Sequence, residues 1–335
     1  MTLTATAVAS CGALPRRALA AVRIWATRAT WVASATSAAL ALACSAPAHA
    51  QALAASAPAA AQAPARAYTI TDDTGHTARF DTPPARIVSL LPSITETVCA
   101  LGACQRLVGV DRYSTWPDSL HALPRVGGGL DPNVEAIVAL RPDVVLMASS
   151  SRAAPRLRAL GIRVLALEPK TRADVRRVIH TLGQTLQVDG ADALARQIDA
   201  GVAAAAQALP ASARGQRVYF EVSPAPHAAG PGSFIGELLS ALGLANIIGP
   251  QLGPFPKINP ELVVRAAPDV IMTSEAGAQD MARRPGWAAL QAVRTGRICA
   301  FTPAERDILV RPGPRMAEAA RLMKNCVAPD AAARP

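Results

Sequence analysis

From residue 189 to residue 209 the chain reads DGADALARQIDAGVAAAAQAL, and its larger apolar positions recur at helical spacing. Leu194, Ile198, Val202, Ala205 and Leu209 fall on one stripe of a 3.6-residue helix. Alanine, the best helix former, fills most of the remainder. Asp189 stands where an N-cap belongs and Pro210 where a helix must stop. The pattern predicts one uninterrupted helix of about 30 Å.

The chain on the two sides of this helix alternates between strand-like and helix-like patterns, and the two sides match. NVEAIVALRPDVVLM (133–147) aligns with NPELVVRAAPDVIMT (259–273), placing Asn133 on Asn259, Glu135 on Glu261 and Pro142-Asp143 on Pro268-Asp269. Upstream, SITETVCALG resembles SFIGELLSALG, and in both a glutamate, Glu96 or Glu237, lies five residues before a Leu-Gly pair. Further upstream, RIVSLLPS (86–93) resembles RVYFEVSP (217–224), each a β-rich run ending at a Pro/Ser turn. Three ordered matches predict two similar α/β lobes, Rossmann-like, each with a mostly parallel sheet, joined by a single long backbone helix. The boundaries read as an N-lobe over 67–170, a connecting helical segment over 171–210 and a C-lobe over 211–328. A hairpin turning at Asp73-Thr74-Gly75 opens the N-lobe, the first core strand spans 86–91, and a helical stretch at 173–186 leads into the connector. The tail after 328 reads as frayed. Ligands favour the carboxyl ends of parallel strands and the clefts between lobes, so the site is expected there.

Charge and the first fifty residues change the picture in one respect. The formal net charge is +10, but residues 1–50 hold Arg16, Arg17, Arg23 and Arg28 and no acid; without them 30 basic residues face 24 acidic ones, a net +6. An arginine-bearing start, an apolar run from 31 to 44 and the small-residue pair Ala48 and Ala50 form an export signal over 1–50. The alternative is a lipoprotein box at Ala41-Leu42-Ala43-Cys44; alanine fits its first position poorly, so soluble export is favoured. Residues 51–66 are an Ala/Pro/Gln tether. No later stretch is long and apolar enough to span a membrane. No basic run interleaved with aromatics points to nucleic acid.

Export leaves Cys99, Cys104, Cys299 and Cys326, an even number in an oxidising compartment, which favours disulfides over buried thiols. If the first helix ends at Gly102, Cys99 and Cys104 come within bridging distance; Cys299 and Cys326 form the second pair.

Catalytic motifs are missing: there is no Gly-rich dinucleotide or phosphate loop in the right context, no nucleophile elbow, no His-Glu-x-x-His and no Cys-x-x-Cys. The flexible turn Gly127-Gly128-Gly129 lacks the Lys and Ser/Thr of a phosphate cradle. His76, His121, His180 and His227 are scattered without metal-ligand spacing, which argues against a divalent-metal site. Nothing asks for an enzyme or for a bound cofactor of its own.

The runs IVSLLPSITETVCALGACQRLVGVDRYSTWP, GGLDPNVEAIVALRPDVVL, GIRVLAL and PELVVRAAPDVI together resemble the helical-backbone class of periplasmic substrate-binding proteins of ABC importers, over roughly residues 68–326. Within that class the likeness is greatest to cobalamin-binding proteins. The resemblance implies a monomeric periplasmic receptor that carries a corrinoid to a permease dimer and its ATPase. It implies that Glu135 and Glu261 dock onto permease arginines; the alternative for each is a solvated acid favoured by a helix dipole. It implies that Tyr113, Trp116, Phe255, Asp307 and Arg311 line the cleft, with His227 close by. Flat aromatics and an arginine suit a large ring with amide edges; the alternative for each aromatic is core packing, and Trp287 reads as core. Gly127–Gly129 stand where cobalamin receptors often carry a tryptophan. The rivals are a haem or ferric-siderophore receptor of the same class, an exported two-lobed enzyme, and a lipidated sensor with no ligand.

Overall fold

A computed structural model describes residues 67–224 and 226–328. The export signal, the tether and the tail from 329 lie outside the described residues.

The N-lobe runs β1 (Tyr68–Thr71), β2 (Thr77–Phe80), β3 (Ile87–Ser89), α1 (Pro92–Ala100), β4 (Leu107–Val110), α2 (Val134–Ala139), β5 (Val144–Met147), α3 (Ala154–Ala159) and β6 (Val164–Ala166). Two helices follow, α4 (Arg172–Leu186) and α5 (Ala191–Gln207). The C-lobe runs β7 (Arg217–Ser223), β8 (His227–Ala228), α6 (Phe234–Ala241), β9 (Ala245–Asn246), α7 (Pro260–Ala266), β10 (Val270–Ser274), α8 (Glu275–Asp280), α9 (Gln291–Arg294), β11 (Ile298–Phe301), α10 (Pro303–Leu309) and α11 (Met316–Val327).

The strand orders confirm the repeat. In the N-lobe, β4-β3-β5-β6 are parallel throughout. In the C-lobe, β7 pairs in parallel with β9 on one side and β10 on the other, and β10 with β11, giving the equivalent order β9-β7-β10-β11. The aligned segments are therefore equivalent elements: β3 with β7, α1 with α6, and α2-β5 with α7-β10. The repeated Leu-Gly pairs are helix ends. Gly102 and Gly243, at φ 77° and 76°, follow α1 and α6 in the left-handed conformation that glycine adopts without a Cβ clash.

Period-two alternation splits the strand side chains between two cores. Ile87, Val144, Leu146, Val218, Phe220, Val270 and Met272 face one continuous core that also takes in α1, α4, α5, α6 and α11. Val88, Val145 and Met147 face a smaller core beneath α2 and α3. Tyr219 and Ile271 face its C-lobe counterpart, where Trp287 is fully buried, as its sequence context predicted. Because the central core is shared by both lobes, prying them apart exposes apolar surface from each.

The stretch expected as one rod is shorter. Gly190, at φ 102°, not Asp189, precedes α5, and Gln187 at φ 48° ends α4. Ile198, Val202, Ala205 and Leu209 of the stripe are buried, and Leu194 is half-buried. That stripe packs α5 on α11 and α4. The contacts that reach both lobes belong to α4. At its start Lys170 O accepts from Phe234 N and Glu237 Oε2 accepts from Arg172 N. At its end Thr185 O accepts from Tyr68 Oη and Leu186 O from Arg106 Nη1. A Thr171/Asp174 capping box fixes where α4 begins.

Both disulfides are present: Cys99–Cys104 links α1 to the turn before β4, and Cys299–Cys326 links β11 to α11.

Candidate functional site

Parallel strands deliver their loops to one edge of each sheet, and the loops of both lobes meet in a trough. Its N-lobe end, about 300 Å³, is lined by Leu90 and Leu91 after β3, Asp111 and Tyr113 after β4, Leu130, and Glu168 after β6. Its C-lobe end, about 500 Å³, is lined by Pro224 after β7, Ser274 and Glu275 after β10, Phe301, and Asp307 of α10. A middle section of about 410 Å³ shares Leu91 and Tyr113 with the first and Arg306 and Asp307 with the second. A hollow of about 490 Å³ lies at the α4–α5 corner, beside His180 and Asp189. It receives no strand-end loop, and its walls are the exposed faces of two helices.

Tyr113 is the aromatic that stands in the trough, 58% exposed. Its backbone is held at both ends, and the Arg112 guanidinium lies 5.8 Å from the centre of its ring. The Tyr113 N–H donates to Asp111 Oδ2 at 3.0 Å, and its carbonyl accepts from Arg311 Nη2 at 2.9 Å. Asp111 is fully buried; burial pushes its carboxyl above the usual range, against the opposing pull of the Ser114 hydroxyl, the Tyr113 N–H, Arg311 and Arg125. Ser114 and Thr95 extend this network to Ser89 on β3.

Arg311 is a hub more than an open cleft residue. Its Nη1 donates to Glu96 Oε1 at 2.9 Å, and its Nη2 also pairs with Asp307 Oδ2. Glu96 is buried on α1 and accepts from Arg315 as well, from Nε at 2.8 Å and Nη2 at 2.5 Å. Two guanidiniums thus face two carboxylates at the junction of the lobes. Asp307 lines the trough, and its Oδ1 has no protein donor among the described residues, which leaves an acceptor unused there.

The structure brings Tyr113, Asp307 and Arg311 together along this trough. Trp116 lies to the side, with the Arg315 guanidinium 4.8 Å over its ring. Phe255, 38% exposed, tilts against Phe234 at 6.2 Å. His227 sits on β8 with Nδ1 3.1 Å from Ser223 Oγ. These three do not line the three sections of the trough. Sequence reasoning missed Glu96, Asp111, Arg306 and Leu130 as site residues. Glu96 had a signal, the repeat that matched it to Glu237; Leu130 had none beyond its place after three glycines.

Glu135 and Glu261 occupy equivalent positions. Each lies in the first turn of its helix, α2 or α7, behind an asparagine cap: Asn133 Oδ1 accepts from Ala136 N at 2.9 Å, and Asn259 Oδ1 from Glu261 N at 3.0 Å. Both carboxylates are on the surface.

The model of the periplasmic binding protein family matches residues 87–304. The chain belongs to that family. As a periplasmic binding protein it is similar to an uncharacterized ABC transporter substrate-binding lipoprotein of Bacillus subtilis, 29% identical over 78% of this chain and 86% of that one. It is 34% identical to a cobalamin-binding protein of Halobacterium salinarum, over 62% of this chain and 59% of that one. Among solved structures, the periplasmic vitamin B12-binding protein of Vibrio cholerae superposes with TM-score 0.62 at 28% identity, covering 73% of this chain and 97% of that one. The periplasmic haem-binding protein of the same organism gives 0.62 at 25% identity, over 73% and 99%. Two α/β lobes with parallel sheets are the architecture of this family of binding proteins.

Proposed function

We propose that this binding protein captures a corrinoid, of the cobalamin type, in the inter-lobe trough and delivers it to an ABC importer. The observation that carries the reading is the trough itself: it crosses the strand ends of both lobes, with one exposed aromatic ring, Tyr113, and a carboxylate, Asp307, held by Arg311. A corrin ring carries carboxamide arms, and an amide N–H₂ is the donor that Asp307 Oδ1 accepts. Arg311 holds Asp307 through Oδ2 and fixes its orientation, and an acid with its own cation already in place suits a neutral donor better than a carboxylate. In this reading Tyr113 and Asp307 touch the ligand, Arg311 positions both, and Trp116, Phe255 and His227 contribute at the rim. Leu130 takes the wall that Gly127–Gly129 do not supply. Glu135 and Glu261 dock on equivalent arginines of a dimeric permease, whose ATPase supplies the energy. The protein acts in the periplasm as a monomer, freed of its export signal, with lipidation at Cys44 the alternative form; it catalyses no reaction of its own.

Haem is the second reading, and one feature favours it. Tyr113 offers a phenol oxygen beside Arg112, whose guanidinium lies 5.8 Å from the ring, and Arg306 lines the same section. A phenol oxygen with cations beside it suits a ferric porphyrin with carboxylate arms.

Calorimetric titration of residues 67–335 with cyanocobalamin, haemin and a ferric siderophore decides. Tight one-to-one binding of cyanocobalamin alone, weakened about tenfold or more by Tyr113→Ala, is the expected result. Haemin binding with a shifted absorption band that Tyr113→Phe abolishes transfers the function to haem. No binding by any of the three overturns both.

A further inference from the structure

The repeat pairs Glu96 with Glu237, and neither acid lines the trough or belongs to the docking surface. Both nevertheless reach across the molecule. Glu96, on N-lobe α1 and 1% exposed, receives Arg311 and Arg315 from the C-lobe. Glu237, on C-lobe α6, receives at 2.6 Å the backbone N–H of Arg172, the first residue of α4 as it leaves the N-lobe. A glutamate five residues before the Leu-Gly that follows a lobe's first helix thus serves, in each lobe, to hold a piece of chain from outside that lobe.

We infer that Glu96 and Glu237 are a symmetric pair of inter-lobe ties, and that Glu96 is the positioning residue that sets the trough. Arg315 spans both Glu96 oxygens, which fixes the carboxylate's plane. That carboxylate orients Arg311 through Nη1 and leaves Nη2 to hold the Tyr113 carbonyl and Asp307. The two groups assigned to ligand contact, one from each lobe, are therefore placed relative to each other by a carboxylate that touches no ligand. The packing leaves little slack for lobe movement at this point: a Cβ on Gly313, between Arg311 and Arg315, would lie 3.2 Å from Ser93 O on α1. Leaving a buried guanidinium without its acid is strongly unfavourable, so the ties resist opening by more than their number suggests.

The role in positioning rests on the trough being the ligand site; the role as a tie does not. Hydrogen exchange of the unliganded chain tests the tie. In Glu96→Gln, amides in 111–117 and 303–316 should exchange about tenfold faster while β3, β5, β7 and β10 keep their protection. Glu237→Ala should do the same over 170–175. If Glu96→Gln does not fold, Arg315→Lys, which keeps the charge but cannot span both oxygens, carries the same expectation. Unchanged exchange in these segments, or a uniform rise everywhere, overturns the inference. Cyanocobalamin titration of the same variants tests positioning: affinity should fall about tenfold with Glu96→Gln and be partly restored by Glu96→Asp, and equal affinity would show that the tie does not set the trough. If the parent chain binds no cyanocobalamin, the functional reading fails, and the exchange result still decides the tie.

Discussion

Arg156 Nη2 stands 3.6 Å from a carboxylate oxygen of Glu135, whereas Glu261 has no ion-pair partner among the described residues. The two acids are alike in helix position and cap, so this arginine is the main difference between them. The pair is open to solvent, with the Glu135 side chain 87% exposed, and is worth less than about 1 kcal/mol. In the proposed docking, so weak a pair would yield to a permease arginine. Charge reversal of Glu135 and Glu261 together should lower transport more than about tenfold and leave ligand affinity unchanged. Arg156→Ala should change neither. Transport by reconstituted importer, with calorimetry on the receptor alone, is the check; a parallel loss of affinity would place these acids in the ligand site instead.

The two disulfides should contribute unequally. Cys299–Cys326 closes a separation of 27 residues and Cys99–Cys104 one of 5. Loop-closure entropy gives about 3.5 kcal/mol for the longer and about 2 kcal/mol for the shorter. Denaturant unfolding of the two double Cys→Ser variants should preserve this order. The longer bridge also ties an edge strand of the C-lobe sheet to α11, against which α5 packs, so its loss should loosen the connecting segment as well. Equal destabilisation would show that neither bridge acts mainly through chain entropy.

Much of this organisation was legible in the chain. Asn133/Asn259, Glu135/Glu261 and the two Leu-Gly pairs stand at equivalent positions because duplicated lobes need the same caps and turns. Trp287 and the hairpin turn also followed from local pattern, and the cysteine pairs from an even count in a chain read as exported. The connecting helix was legible only in part. Alanine-rich propensity cannot tell α5, which lies on α11, from α4, which reaches both lobes; that difference is made by two positive-φ residues, Gln187 and Gly190, and by partners far along the chain. The site was the least legible. Arg311 reads as a ligand-facing arginine, yet its main partner, Glu96, lies 215 residues away. Trp116 and Phe255 read as cleft aromatics, and their neighbours are Arg315 and Phe234. No local period encodes such pairings.

Asp72 gives a pH prediction with a definite sign. Burial alone would raise its carboxyl, but hydrogen bonds from the Thr74 hydroxyl and the Ala166, Thr74 and His76 N–H groups outweigh it and hold the acid below its usual value. Arg158 adds an ion pair at 2.7 Å. An acid depressed on folding contributes stability above its unfolded value of 3.8 and loses it as pH falls through the lower folded value. Asp72→Asn should therefore destabilise the protein by about 2 kcal/mol near neutral pH. The difference from the parent should vanish below the usual carboxylate range. Thermal unfolding against pH reads this directly, and a gap that persists into strong acid would assign the loss to packing of the hairpin on β6.

Gly127 and Gly128 should answer differently to the same substitution, although both belong to a run whose sequence suggests only flexibility. Gly127 holds φ 94°, and a Cβ there would meet Asp131 O at 2.6 Å and Asn133 N at 2.9 Å. Both are backbone atoms, and Asn133 is the cap that starts α2 and places Glu135. A Cβ on Gly128 would meet the side-chain oxygen of Asp131 at 2.4 Å, a group that can rotate away from Arg112 toward water. Gly127→Ala should cost about 1–3 kcal/mol from the left-handed backbone and the clash. It should also weaken ligand binding, because Leu130 rides on the same loop. Gly128→Ala should cost less in both respects. Denaturant unfolding and titration of the two variants side by side give the ranking; the reverse order would mean that the loop is held by the Arg112–Asp131 pair and not by its glycine backbone.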